Sequence, residues 1–122
     1  MLLLFSVTAG CDRPCDCYTR QGTCVYDEQE FLARDCVATE RSIDIMELSH
    51  LARYWTVVFV DNLDTWGDNI GGVSWCTEAQ VIRDRPDILC HELYHLEICA
   101  NYQLMDYQHR YFEGWVNPCQ SN

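Results

Sequence analysis

Nine cysteines in a chain of 122 residues constrain the fold more than any other feature. Structural disulfides persist in oxidising compartments, so this density reads as the framework of an exported, disulfide-stabilised protein. No C-x-x-C pair occurs, which argues against a zinc ribbon or a thioredoxin-like redox motif. Spacing alone leaves the connectivity open, with one exclusion. On a helix, Cys90 and Cys99 stand about 13 Å apart and on opposite sides, too far to bond to each other. Each must reach a different neighbour.

Both of those cysteines flank the second constraint, His91-Glu92-Leu93-Tyr94-His95. On a helix, two histidines four residues apart project from successive turns of one face and can grip one metal ion. Glu92 is rotated by roughly 100° from His91, so it is poorly placed as a ligand but can reach water at the metal. Two neutral imidazoles and an adjacent carboxylate base are what a zinc hydrolase needs. The context agrees: Pro86 suits a first helical position, Asp87 lies where the helix dipole favours an acid, and Leu89, Leu93, Leu96 and Ala100 form an apolar stripe behind the histidines.

The length suits one domain with a modest core, and 48% hydrophobic residues is a globular composition. A net charge of −11, from 8 basic and 19 acidic residues, argues against nucleic acid as a partner.

Along the chain, residues 12–36 hold four cysteines among polar residues and cannot build a core, so they read as a cystine-stapled cap. A short helix is expected within residues 26–35. Thr39 is a candidate N-cap for a helix to about Tyr54, buried through Ile45, Leu48, Leu51, Ala52 and Trp55. Residues 55–60 read as a buried strand and 71–77 as a glycine-weakened edge strand, with a third short strand over 80–83. Between the first two, Asp61, Asp64 and Asp68 read as a solvated turn rather than a calcium cage, and His50 as a surface residue.

The order of helix, strand, edge strand and H-E-x-x-H helix resembles the upper half of zincin metallopeptidases. The resemblance implies an α+β, zincin-like domain with a short mixed sheet packed on the motif helix. It implies zinc as cofactor, His91 and His95 as ligands, Glu92 as general base and residues 73–76 as the strand that pairs with an extended peptide or protein substrate. The longer metzincin motif is not followed: Ile98 and Asn101 stand where it has glycine and its third histidine. Catalytic zinc takes three protein ligands, so the third must come from further on. Two candidates follow, His109 and Glu113. Similarity to small bacterial lipoproteins with a His-Glu-Leu-x-His helix favours His109, as does the preference of zinc for imidazole. Glu113 or Asp106 would then orient it, and Tyr107 or Tyr111 is a candidate donor to an oxyanion.

The N-terminus also resembles a lipoprotein signal: an apolar run ends in Ala9-Gly10-Cys11. This implies cleavage before Cys11 and a lipid on it, the sole expected membrane contact. The remaining eight cysteines can then all pair. The expected division is a signal peptide over 1–10, a cysteine-rich cap over 11–38 and a zincin-like metal-binding domain over 39–122. The expected function is an exported zinc metallopeptidase, in the cell envelope or secreted; the alternative is a disulfide-rich envelope binding module whose metal is structural or absent.

Overall fold

Alternation at a period of two decides which side of each strand meets the helices. In a computed structural model of the chain, residues 13–82 and 85–120 are described. The expected leader over 1–10, Cys11 and Arg83 lie outside them. The strands are β1 (Cys17–Tyr18), β2 (Cys24–Asp27), β3 (Thr56–Phe59), β4 (Gly72–Ser74) and β5 (Glu78–Val81), joined in one sheet in the order β1-β2-β3-β5-β4. The central three run parallel, and β1 and β4 add antiparallel at the two edges. Register aligns Val25, Val57 and Ala79 in one row and Asp27, Phe59 and Val81 in the next, all buried. The alternate residues Thr56, Val58, Glu78 and Gln80 are only half-buried on the opposite face.

The helices are α1 (Leu32–Met46), the single turn α2 (Ser49–Ala52) and α3 (Pro86–Tyr102). Leu89, Leu93 and Leu96 of α3 meet Ile43, Leu48 and Trp55 over the buried sheet rows in one core. Each such fully buried side chain contributes about 1.5–3 kcal/mol. The fold is thus a small α+β domain with a mixed sheet. Among the described residues no helix is long and apolar enough to cross a membrane.

Three expectations change. The helix expected over 39–54 begins at Leu32 instead, and Thr39 lies buried inside it, its hydroxyl donating to the Asp35 carbonyl at 2.8 Å rather than capping an end. Helix α1 stops at Glu47, which adopts a left-handed conformation (φ 58°) and donates its N–H to Asp44. That break resets the helical phase: Leu48 and Ala52 are buried as expected, but Ile45 is 42% exposed and Ile43 takes its place. The helix expected over 26–35 is the end of β2 followed by the start of α1. Finally, the segment expected as a cap supplies β1, β2 and the first turns of α1. With too few apolar residues for its own core, it places Val25 in the common one.

The eight cysteines among the described residues form four disulfides, Cys15–Cys24, Cys17–Cys36, Cys76–Cys99 and Cys90–Cys119. Such a set points to an oxidising or extracellular location. As the helix geometry required, Cys90 and Cys99 bond to different partners. One ties the C-terminal tail to the start of α3, and the other ties the β4–β5 turn to its end. The Cys76–Cys99 bridge spans 23 residues, so replacing both by Ala is expected to cost about 3 kcal/mol, read from urea unfolding of the two proteins.

Candidate metal centre

Helix α3 carries His91 and His95 on successive turns, with ring centroids 5.0 Å apart. Its other flank, Leu89, Leu93 and Leu96, is locked in the core, and this fixes the direction of the histidine face. Ala100, expected in that stripe, is exposed. The helix ends at Gln103 in a left-handed conformation (φ 59°), its N–H bonded to the Cys99 carbonyl at 2.7 Å.

The chain then turns back over the histidines through a loop organised by Asp106. That carboxylate is buried and accepts from the backbone N–H of Arg110 and of Tyr111, both at 2.8 Å. The Asp106 carbonyl accepts from the N–H of His109 at 2.9 Å. His109 itself is held at φ 59°, a left-handed conformation that costs an L-residue about 1–2 kcal/mol. The Asp106 hydrogen bonds offset that strain. Asp106 therefore orients His109 through the backbone of the turn.

The outcome is convergence. His109 Nε2 lies 3.2 Å from His95 Nε2 and 3.3 Å from His91 Nε2. For zinc–nitrogen bonds of about 2.0–2.1 Å at tetrahedral angles, neighbouring ligand atoms stand about 3.3–3.4 Å apart. The two separations from His109 thus match neighbouring corners of a tetrahedral metal site, and all three ligand atoms lie within 4.8 Å of one another. They are the one group of three or more histidine, cysteine or carboxylate side chains among the described residues with the placement to hold a metal ion. Glu113, the alternative third ligand, is exposed and outside the cluster, as are His50 and Asp61, Asp64 and Asp68 of the acidic turn.

Phe112 packs against all three imidazoles, with centroids 4.6, 4.7 and 4.9 Å from His91, His95 and His109. Tyr94 stacks on Trp115 at 4.3 Å and donates its hydroxyl to the Tyr111 carbonyl. Tyr111 stacks on Tyr102, whereas Tyr107 lines the cleft beside the histidines. Burial, reinforced by His91 and His109 alongside, pushes the His95 imidazole down to about 4. Burial and the neighbouring His109 also lower His91. Both imidazoles are therefore neutral at pH 7, the form that can coordinate a cation.

Glu92 meets the edge strand. Its side chain is buried, and Ser74 Oγ donates to Glu92 Oε1 at 2.7 Å. Burial raises the Glu92 carboxyl to about 7, with the Ser74 hydrogen bond pulling the other way. Gly72, two residues before Ser74, makes room: a Cβ there would stand 2.7 Å from Glu92 Cγ and 2.8 Å from Oε2. Neither Gly72 nor Ser74 nor Phe112 was singled out from the sequence. The first two were legible only through register, which pairs them with Val81 and Ala79 and so turns them to the helix side.

The three histidines and Glu92 line a cleft of about 700 Å³ together with β4, Trp66 and Ile70. Trp66 and Trp75 meet edge to face at 5.4 Å on its rim. The chain matches no known family model, no curated protein and no solved structure.

Three convergent imidazoles imply that added zinc raises the melting temperature. Replacing His109 by Ala is expected to weaken zinc binding by about a hundredfold or more, while Glu113→Ala leaves it unchanged. Titration against a competing chelator, read with the melting temperature, checks both.

Proposed function

We propose that the protein is an exported zinc-dependent hydrolase, a small metallopeptidase of zincin-like arrangement. His91, His95 and His109 would hold the metal, and Glu92 is the general base. The observation that carries this reading is the convergence of three imidazoles, with His109 Nε2 3.2 and 3.3 Å from the other two, in a cleft that the buried Glu92 carboxylate also lines. Structural zinc sites take four protein ligands and are closed; a site of three ligands on a cleft suits catalysis.

Zinc, when bound, supplies Lewis acidity, which activates water near neutral pH and polarises a carbonyl. The protein supplies the rest. Glu92 accepts a proton from the attacking water and passes it to the leaving amine. The aromatic floor of Phe112 restricts the imidazoles to one orientation, and Tyr107, which lines the cleft, is the candidate donor to developing negative charge.

The cleft runs along β4, which has a neighbour on one side only. An extended peptide adds to such an edge through backbone hydrogen bonds, and this favours a peptide or protein substrate. The apolar Ile70, Val73 and Ile88 and the Trp66–Trp75 pair give that groove an affinity for bulky apolar side chains. Export follows from the cystines, and Ala9-Gly10-Cys11 supports a lipid anchor on Cys11.

Replacing Glu92 by Gln keeps the side-chain volume and removes the base. The variant is expected to bind zinc normally and to lose about 10²–10⁴-fold in hydrolysis of a mixed peptide library followed by mass spectrometry. Full activity of that variant, or a wild-type protein that takes up no zinc, would overturn the proposal.

A further inference from the structure

The bond between the edge strand and the candidate base has a geometry that a merely satisfied carboxylate would not need. Gly72 and Ser74 occupy alternate positions of β4 on its helix side and meet the same carboxylate at two points. Ser74 is buried, its Oγ 2.7 Å from Glu92 Oε1 and 3.3 Å from the Glu92 carbonyl oxygen. A hydroxyl has one proton to donate, and the shorter contact is to the carboxylate. Gly72 leaves open the volume that the rest of the carboxylate fills, since a Cβ there would come within 2.8 Å of Oε2. One oxygen is therefore held by a hydrogen bond, while the other lies against bare backbone.

We propose that Ser74 is a positioning residue for Glu92, with Gly72 providing the space in which the positioned carboxylate sits. The inference rests on Glu92 being the general base. Ser74 fixes the carboxylate plane through Oε1 and keeps its own proton throughout. Oε2 is left to accept the proton of the attacking water as the new carbon–oxygen bond forms, and to release it to the leaving nitrogen as the carbon–nitrogen bond breaks. The strand that borders the substrate groove thus also sets the aim of the base, so that the same three residues read the peptide and orient the catalyst.

The two positions allow different tests. Ser74→Ala removes the hydrogen bond. Gly72→Ala adds a methyl whose three nearest neighbours are all side-chain atoms of Glu92, so the carboxylate side chain is the group it displaces. The probes are zinc itself, acetohydroxamate (a small chelator that bridges a metal and a neighbouring carboxylate) and a fluorogenic peptide cleaved by the wild type. Both variants are expected to retain zinc affinity and the zinc-induced rise in melting temperature. Acetohydroxamate binding and kcat should each fall about ten- to a hundredfold, with KM unchanged. Ser74→Thr, which restores the hydroxyl, should recover most of the loss, and adding Ser74→Ala to Glu92→Gln should cost nothing further.

Unchanged acetohydroxamate affinity in Ser74→Ala and Gly72→Ala would overturn the positioning role and leave the metal site intact. So would a loss of zinc in Ser74→Ala, or a full further loss in the double variant. Absence of zinc from the wild type, or full activity of Glu92→Gln, would instead overturn the function on which the role depends.

Discussion

The burial of one side of α3 against the sheet is the interaction on which the rest depends. Leu89, Leu93 and Leu96 can be dry only if the helix takes one rotation about its axis, and that rotation sends His91 and His95 toward the cleft. Residue 92 lies between these directions. It points at the edge strand, where a glycine makes room for it and a serine donates to it. Hydrophobic burial in this way performs the orientation that a polar site needs.

The two cystines on α3 extend that logic. A small domain has little surplus core with which to fix its loops. Here the edge hairpin and the tail are each attached directly to the helix that bears the site. The tail carries few buried residues, and its shape comes from Asp106, the Phe112 cluster and Cys119. Covalent and polar constraints replace packing where packing runs out.

What was legible in the sequence divides along the same line. The motif helix, its start at Pro86 and the core strand around Val57 were readable because local spacing determines them. The separation of Cys90 from Cys99 was also accessible from helix geometry, whereas His109 was favoured over Glu113 only by a resemblance and by the chemistry of imidazole. The α1 boundaries were not, because a non-glycine residue in left-handed conformation at Glu47 splits what the apolar spacing presents as one helix. The place of residues 12–36 in the sheet was hidden for another reason. A parallel pairing of β2 with β3 is a contact across more than thirty residues, as Val25 with Val57, and composition carries no trace of it. Gly72 looked like a weakness in a strand until the volume it vacates was seen to be occupied by Glu92.

His109 sits within the loop closed by Cys90 and Cys119. The same segment is tied to α3 without the cystine as well, since the Asn117 side-chain amide donates to the Asp87 carbonyl and Trp115 stacks on Tyr94. The cystine adds a covalent closure at the far end of the segment. The third imidazole is therefore held from both directions along the chain, by Asp106 before it and by Trp115, Asn117 and Cys119 after it.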